Sequence, residues 1–251
     1  MRRKVIIGNW KMNKTIAEAV EFTTSIIDYA KEVEEKGVVV GICPTFLSLP
    51  FVKQVSKDML VAAQTCHYAP NGAFTGEVSI PMLKELDIKY CLIGHSERRQ
   101  YNNETNQSCN KKLIALCEND ITPVYCVGEN LAQYEQGLSK QVVETQVIEG
   151  LAGLSADAVS SMIVAYEPVW SIGTGKNASC FIAEDICGHI RKVIEKHYGS
   201  EVASKVIIQY GGSVKADNAK EYLSSPNIDG VLVGGASLEV ESFKKLISSV
   251  L

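Results

Sequence analysis

A carboxylate near the middle of the chain stands where a side chain could act as a general base. Glu167 directly follows the apolar run Ile163–Tyr166, and burying a carboxylate at such a strand end is costly unless it has a role. Pro168 and Trp170 stiffen the residues that follow, and Gly173 begins a glycine-containing tip. A strand-end carboxylate beside a loop with a stiff hinge and a flexible tip favours a general base under a closing lid. The alternative is a glutamate that only caps the next helix.

Other polar side chains also follow short apolar runs. His95 comes after the run at 90–93, and Asn9 and Lys11 come after the run at 5–7. Taken alone, Lys11 is best interpreted as a surface lysine, and His95 equally well as a histidine at a helix start. Together, a base, a neutral acid and a cation at strand ends are the groups needed to move a proton next to a carbonyl.

Glycine pairs follow the last two apolar runs. Gly211 and Gly212 precede Ser213, and Gly234 precedes Gly235. Because glycine has no Cβ, a ligand can approach its backbone N–H closely. The loops after strands seven and eight of a strand–helix barrel often bind phosphate, so these residues predict a phosphate site held largely by amides. Ordinary tight turns are the alternative.

Eight short apolar runs would position these residues. They are continuously apolar rather than alternating, which is expected of parallel strands covered on their outer face. The runs lie at residues 5–7, 38–42, 60–63, 90–93, 124–127, 163–166, 206–210 and 231–233. Active sites of closed strand–helix barrels lie at the carboxyl ends of the strands, so the candidate residues would meet at one rim.

The segments between the runs have helical spacing. The first apolar stripe consists of Ile16, Val20, Thr23, Ile27 and Ala30. Thr15 and Glu18 fit a capping box at the start of that helix. Eight strand-then-helix units predict an α/β fold, a single eightfold β/α barrel that spans residues 1–251 as one domain. An open doubly wound sheet is the main alternative, but it would favour fewer strands, and no GxGxxG follows the first run.

Composition narrows the classes of partner. The net charge is −4 and the basic residues are scattered, so we expect no nucleic acid and no membrane partner. No apolar run is long enough to cross a bilayer. The eight cysteines include no CxxC pair, and we expect mostly buried thiols in a reducing cytoplasm. The four histidines have no metal-binding spacing, so we expect no metal.

Six segments, taken jointly, resemble motifs of the triosephosphate isomerase family. They occur in the family's order over the whole chain. They are GNWKMN (8–13), GAFTGE (72–77), GHSERR (94–99), AYEPVW with IGTGK (165–176), YGGSV (210–214) and VGGASL (233–238). The resemblance implies a TIM barrel that reversibly interconverts dihydroxyacetone phosphate and D-glyceraldehyde 3-phosphate through an enediolate, in glycolysis and gluconeogenesis and without a cofactor.

The resemblance also implies a role for each candidate residue. Glu167 would take the proton from the carbon beside the carbonyl, and neutral His95 would polarise the carbonyl and move a proton between oxygens. The helix start at Ser96 would hold the pKa of His95 low, because the positive end of a helix dipole disfavours imidazolium. Lys11 would stabilise the enediolate charge, and Asn9 would orient the substrate.

Further residues would hold the substrate and close the site. The phosphate would be gripped by the backbone amides of Gly173, Ser213, Gly234 and Gly235. The reacting side chains would be supported by Glu97, Ser96 and Cys126. The lid would comprise Pro168, Trp170, Gly173, Lys176 and Tyr210. Tyr210 would latch the closed lid near Ala178, and closure would exclude water.

The family is usually dimeric, so the resemblance implies a homodimer. The segment at 68–77 looks like the protruding arm of that interface. Thr75 would lie near Asn9, Lys11 and His95 of the partner subunit, and Glu77 would pair with the partner's Arg98. The departures from the family pattern are Thr65, Ser171 and Asn106 with Gln107. None of them belongs to the proposed catalytic set.

Two other hypotheses stay open at the sequence level. Another phosphate-binding barrel, such as an aldolase or a sugar-phosphate epimerase, would share the glycine loops. An aldolase would need a lysine that forms a Schiff base near the barrel centre, and Lys11 is less suited to this than a lysine inside a strand. A repurposed paralogue that serves as a binding or surface protein would predict damage to Lys11, His95, Glu167 or the lid, and all of these are intact.

Overall fold

A computed structural model of the protein describes residues 2–172 and 177–251. In these residues eight parallel strands form one closed barrel, in which the last strand pairs with the first. The strands are β1 (Lys4–Asn9), β2 (Val38–Cys43), β3 (Leu60–Ala63), β4 (Tyr90–Ile93), β5 (Thr122–Val127), β6 (Ile163–Tyr166), β7 (Ile207–Tyr210) and β8 (Gly230–Val233). The predicted eightfold barrel is confirmed, and each predicted run overlaps one strand.

Helices connect the successive strands. In the described residues they are α1 (Ile16–Glu34), α2 (Leu49–Val55), α3 (Ile80–Glu85), α4 (Ser96–Tyr101), α5 (Asn106–Cys117), α6 (Leu131–Glu135), α7 (Ser139–Leu151), α8 (Ala156–Ser160), α9 (Cys180–Tyr198), α10 (Ser200–Lys205), α11 (Ala216–Leu223) and α12 (Val240–Ser248). Short 3-10 turns lie at Val169–Ser171 and Gly235–Ser237. None of the described helices has both the length and the apolarity that a membrane crossing requires.

Helix α1 begins with the predicted capping box. Oγ1 of Thr15 accepts the N–H of Glu18 at 3.4 Å, and Oε2 of Glu18 accepts the N–H of Thr15 at 2.8 Å. The predicted apolar stripe is wrong at its start, because Ile16 is 39% exposed and Val20 is only half-buried. The buried face of the helix consists of Ala19, Phe22, Thr23, Ile26, Ile27, Ala30 and Val33.

Apolar side chains fill both sides of the strands. One buried cluster draws on alternate strand positions and includes Ile7, Leu92 and Leu232, which point into the barrel. A larger cluster between strands and helices includes Trp10 and Phe243. Burial on both faces explains why the strand sequences are continuously apolar. Asn9 lies at the end of its strand, where a site can form, whereas the buried Gln209 lies within β7 and donates to the carbonyl of Val5 at 3.0 Å.

Candidate active site

The carboxyl ends of the strands surround a cavity of about 630 Å³. That volume lies within the usual range for a small-molecule site. The predicted residues that line it are Asn9, Lys11, His95, Glu167, Ser213, Gly234 and Gly235. The structure therefore brings together candidates that are spread over more than 220 positions of the chain. Gly173 and Lys176, the remaining lid and phosphate candidates, lie outside the described residues.

Glu167 directly follows β6 and is held tightly by its backbone. Its N–H donates to the carbonyl of Val127 at 2.7 Å, and its side chain is buried, with 3% of the residue exposed. Glycines that directly follow the neighbouring strands β5 and β7 make room for it. A Cβ at Gly128 would overlap the carbonyl of Glu167, and a Cβ at Gly211 would lie 2.9 Å from its Cγ. The position of this carboxylate thus depends on the absence of a side chain at both of these glycines.

The carboxylate of Glu167 has two close partners. Its Oε1 lies 3.0 Å from Nε2 of His95, and its Oε2 accepts the backbone N–H of Ser96 at 3.1 Å. Burial raises the pKa of Glu167, but the contacts with His95 and Ser96 and the charge of Lys11 lower it more, so the net pKa is below its ordinary value. Glu167 is therefore ionised at neutral pH, as a general base must be.

His95 caps the start of α4 with its side chain. Its Nδ1 accepts the N–H of Glu97 at 3.2 Å, and because a backbone N–H can only donate, Nδ1 carries no proton in this arrangement. Nε2 must then hold the proton and donate it toward Glu167. The imidazole is 5% exposed, so this tautomer is fixed from both sides.

The pKa of His95 differs from the prediction. Burial lowers this pKa, which is also the direction expected from the helix start. The charge and hydrogen bond of Glu167 raise the pKa by more than burial lowers it, so the net pKa lies above its ordinary value. The prediction of a low pKa is wrong for this arrangement because it considered only the helix dipole. A carboxylate 3.0 Å from Nε2 outweighs a dipole that acts through partial charges.

Lys11 reaches into the cavity from a strained backbone. Its φ of +52° is unusual for a residue with a Cβ, and such strain is found preferentially at functional sites. The side chain of Gln64 holds this turn by donating to the carbonyls of Lys11 at 2.8 Å and Cys43 at 3.0 Å. Oδ1 of Asn9 accepts the N–H of Lys11 at 3.1 Å. Sequence reasoning missed Gln64, although it directly follows β3 at the same rim.

The residues expected to support the reacting groups lie close to them. Oε1 of Glu97 lies 2.7 Å from Nζ of Lys11, and its Oε2 lies 3.7 Å from Nδ1 of His95. Cys126 lies inside the barrel on β5, where burial and then the charge of Glu167 raise the pKa of its thiol. A thiol in that state is inert packing rather than a nucleophile.

The two glycine pairs have different surroundings. A Cβ at Gly212 would overlap the hydroxyl of Tyr210, so this glycine is needed for packing. A Cβ at Gly235 would meet no described atom within 4 Å, so open space lies beside this backbone. The amides of Gly212, Ser213 and Gly235 donate to no described residue. Backbone N–H groups that face a cavity beside Lys11 form a suitable anion site.

Glu129 fixes the start of the lid and was not predicted. It is fully buried, and its Oε1 accepts Nε1–H of Trp170 at 2.8 Å and the hydroxyl of Tyr166 at 3.1 Å. Its carbonyl accepts the N–H of Val169 at 3.0 Å. The indole of Trp170 also stacks on Tyr134, with ring centroids 4.2 Å apart. The available signal was a carboxylate two residues after β5.

The far end of the lid packs on two stacked tyrosines. The rings of Tyr210 and Tyr222 lie 4.3 Å apart, and the hydroxyl of Tyr222 donates to the carbonyl of Ala178 at 2.6 Å. Burial raises the pKa of Tyr210, while the hydroxyl of Ser171 and the backbone of Ala178 oppose that rise. Tyr210 thus lies near Ala178, as predicted, but the hydrogen bond at this point comes from Tyr222, which sequence reasoning did not single out.

Two of the predicted interface residues, Thr75 and Glu77, are exposed. Arg98 donates through Nε to Oε1 of Glu104 at 2.7 Å within the same chain. The same carboxylate oxygen binds Nζ of Lys112 at 2.6 Å, and the Thr65 hydroxyl lies 3.4 Å from it. Thr65, a departure from the family pattern, is thus part of this buried ion network. Within residues 2–172 and 177–251, no cluster of His, Cys, Asp or Glu is arranged to hold a metal.

Comparison with known proteins agrees with this geometry. The family model described as "Triosephosphate isomerase" matches residues 4–250. Three curated relatives carry the same name. The protein from Acetivibrio thermocellus is 51% identical over 98% of both chains. Those from Carboxydothermus hydrogenoformans and Streptococcus mutans are each 48% identical, over 98% and 99% of both chains, respectively. By family model and by full-length relatives, this chain belongs to the triosephosphate isomerase family.

Proposed function

We propose that this protein interconverts dihydroxyacetone phosphate and D-glyceraldehyde 3-phosphate through an enediolate, by acid–base chemistry of its own side chains. One observation carries the proposal. An ionised, buried Glu167 meets the Nε2–H of His95 at 3.0 Å in a cavity that also holds Lys11 and unpaired amides. These are a base, a proton donor, a cation and an anion site, which are the groups that proton transfer beside the carbonyl of a phosphate ester needs.

Glu167 takes the proton from the carbon beside the carbonyl. In the free protein its carboxylate is bound to Nε2 of His95 and to the N–H of Ser96, so it must leave both to reach the substrate. The substrate then replaces the carboxylate as the acceptor of Nε2–H. Desolvation of the freed carboxylate in the closed site makes it a stronger base.

His95 acts in its neutral form. Once the carboxylate has left Nε2, the groups that lower the pKa of His95 remain, namely its burial and Lys11. The bond from the N–H of Glu97 to Nδ1 keeps the proton on Nε2, where it can polarise the carbonyl and pass between the two substrate oxygens. The ammonium of Lys11 stabilises the negative charge that develops on the enediolate.

The phosphate is held by the amides of Ser213, Gly234 and Gly235, with Lys11 nearby. The Cε atom of Lys11 lies 3.7 Å from where a Cβ of Gly234 would be, so the cation and the bare backbone border the same space. Pro168 and Trp170 begin the lid, and Gly173 and Lys176 are proposed to complete it. Closure would exclude water and limit loss of phosphate from the enediolate.

An aldolase with a Schiff-base lysine is poorly supported. Among the described strands only β1 contains a lysine, Lys4. Its ammonium donates to the carbonyls of Leu223 at 2.6 Å and Ile228 at 3.1 Å, at the opposite end of the barrel from the cavity. A lysine so placed cannot reach a carbonyl in the active site.

The proposal is tested by isomerisation of D-glyceraldehyde 3-phosphate by the purified, metal-free protein. We expect fast turnover in the wild type and a loss of at least ~10²–10⁴-fold in Glu167→Gln, because a positioned base contributes about that much. Glu195→Gln, which changes an exposed glutamate on α9 in the same way, is the control and should keep full activity. Equal turnover in wild type and Glu167→Gln would refute the assignment of the base, and a folded but inactive wild type would refute the function.

We further propose that residues 1–251 act as one catalytic domain, as a homodimer in the cytoplasm. A single barrel from β1 to β8 and eight free cysteines support the first and last points. Two exposed apolar side chains support the dimer. Phe74 lies on the arm at 68–77, and Met12, which is 93% exposed, directly follows the cavity residue Lys11.

A further inference from the structure

The opposite end of the barrel holds a second cavity, of about 680 Å³, that the isomerase reaction does not use. It lies at the amino ends of the strands, where the interior of the barrel meets solvent. Its apolar wall consists of Val5, Val39, Leu60, Ile163 and Ile207. Three of these residues belong to the buried interior cluster, and Val39 and Ile207 are partly buried and pack against that cluster. The cavity is therefore an open end of the apolar barrel interior.

The rim of this cavity is polar and carries positive charge. Its cations are Arg2, Arg3 and Lys205, and its hydroxyls belong to Tyr90, Thr122, Ser161 and Ser204. Among the described lining residues there is no carboxylate. A concave apolar wall with a few polar groups around it is the usual composition of a small-molecule site.

The three cations differ in how far their charge is compensated. Nε of Arg2 lies 2.6 Å from Oδ1 of Asp229, and Nζ of Lys205 lies 2.8 Å from Oε1 of Glu201. Arg3 is exposed and forms no ion pair with any described residue. The net charge that faces the cavity is therefore positive and centred on Arg3.

The other cations at this end bind backbone carbonyls or a carboxylate, but Arg3 does not. Helices of the barrel present carbonyl groups here, and Lys4 donates to the carbonyl of Leu223 at the end of α11. Arg2 donates to the carbonyl of Pro226. Arg3 makes no side-chain hydrogen bond to a described residue, so neither capping nor pairing accounts for its charge at the edge of an apolar cavity.

We propose that this cavity, which we call the amino-end cavity, binds a small amphipathic organic anion. The apolar body of the ligand would cover Val39 and Ile207, which removes their apolar surface from water. The anionic group would pair with the guanidinium of Arg3, for which a carboxylate is a suitable bidentate partner. The inference is independent of the isomerase reaction, because the cavity shares no lining residue with the catalytic site.

Calorimetric titration of the full-length protein with octanoate tests the proposal. We expect one octanoate per chain in the wild type, and binding at least 5-fold weaker in Arg3→Gln. Lys31→Gln, which removes an exposed charge on α1, is the matched control and should bind like the wild type. Acetate lacks the apolar body and octanol lacks the charge, so each should bind at least 5-fold more weakly than octanoate. Equal binding of octanoate and octanol would overturn the assignment of an anion site.

A second variant addresses the apolar wall. Val39→Glu places a carboxylate in the cavity at a half-exposed position, and we expect it to abolish octanoate binding. Isomerase activity reports folding in Arg3→Gln and Val39→Glu, and kcat and KM should equal those of the wild type. Glu167→Gln should bind octanoate normally, which separates failure of this inference from failure of the proposed function. Equal binding by wild type and Arg3→Gln, or competitive inhibition of isomerisation by octanoate, would refute the amino-end cavity as its site.

Discussion

The side chains of Glu167 and His95 regulate each other's charge through one contact. The contact at 3.0 Å lowers the pKa of Glu167 and raises that of His95, so each group favours the charged form of the other. Catalysis needs the carboxylate but a neutral imidazole. The N–H of Glu97 keeps Nδ1 without a proton, and movement of Glu167 to the substrate would remove the contact that raises the pKa of His95, so substrate binding itself would favour the neutral imidazole.

The same pair should make stability depend on pH in a defined window. The lowered pKa of Glu167 stabilises the fold above the ordinary value of 4.5, and this stabilisation is lost as the pH falls through the folded-state pKa. The raised pKa of His95 stabilises the fold below 6.5, and this part is lost as the pH rises through its folded-state pKa. The pair should therefore stabilise most between about pH 4.5 and 6.5.

Urea unfolding of wild type and Glu167→Gln at pH 5.5 and at pH 9 measures this effect. The difference in unfolding free energy between the two proteins should be larger at pH 5.5, where both partners are charged. Glu195→Gln, at an exposed position, should show no such dependence. A difference of the same size at both pH values would mean that the ion pair does not form in the folded protein.

At the scale of elements, Glu129 joins the end of β5 to the end of β6 and to the lid. Its Oε1 accepts two hydrogen bonds, from Tyr166 and from Trp170, and its backbone carbonyl accepts a third, from Val169. A carboxylate that is fully buried and bound in this way orders the first turn of the lid. The rigid entry to the lid therefore depends on this side chain as well as on Pro168.

Replacement of Glu129 by alanine should destabilise the protein by about 2–5 kcal/mol, because it leaves the buried hydroxyl of Tyr166 and the partly buried indole N–H of Trp170 without their acceptor. Urea unfolding measures this change. Glu129→Gln keeps one side-chain oxygen that can accept from Trp170 and should be clearly more stable than Glu129→Ala. If the two variants were equally stable, the hydrogen bonds to Oε1 would not hold this part of the fold.

The positions of the strands could be predicted because burial on both faces makes their sequences continuously apolar. All eight runs overlap strands, although Val206 lies just before β7 and is buried without pairing. The stripe on α1 was misplaced because a 3.6-residue period allows neighbouring stripes, and packing of Phe22 against Trp10, with ring centroids 5.0 Å apart, selects between them. The sequence of the helix alone therefore does not determine which stripe is buried.

In the candidate site, too, residues marked by their local sequence were found, and residues that depend on contacts distant in the sequence were missed. Glu167, His95 and Lys11 were found because each follows its own strand. Gln64 and the role of Tyr222 were missed, because their partners are carbonyls of Lys11, Cys43 and Ala178 that the chain brings from distant positions. A hydrogen bond from a side chain to a distant backbone carbonyl does not require a particular residue type or spacing, so the sequence does not reveal it.

At the scale of the whole molecule, the strongest prediction concerns assembly. Phe74 is 44% exposed on the arm at 68–77, and contact of this arm with a second chain would remove its apolar surface from water. Sedimentation of the wild type at micromolar concentration should give twice the mass of one chain. Phe74→Asp should give single chains, and turnover should fall if Thr75 of the partner subunit supports Lys11 and His95.

The control for this prediction is Phe181→Asp, since Phe181 is an exposed phenylalanine at the start of α9, outside the arm. It should keep both the doubled mass and the turnover. A wild type that sediments as single chains with full activity would contradict the proposed dimer, and the exposed side chains near the cavity would then need another explanation.

The pairing of β8 with β1 also has a consequence for synthesis of the chain. Val5 of the first strand lies opposite Gly230, so the ribosome must release the chain as far as β8 before the sheet can close. Until then two unpaired strand edges face the cell, and such edges invite association with other chains. Gly230 has no room for a side chain against the carbonyl of Val5, so any other residue at this position would oppose closure of the barrel.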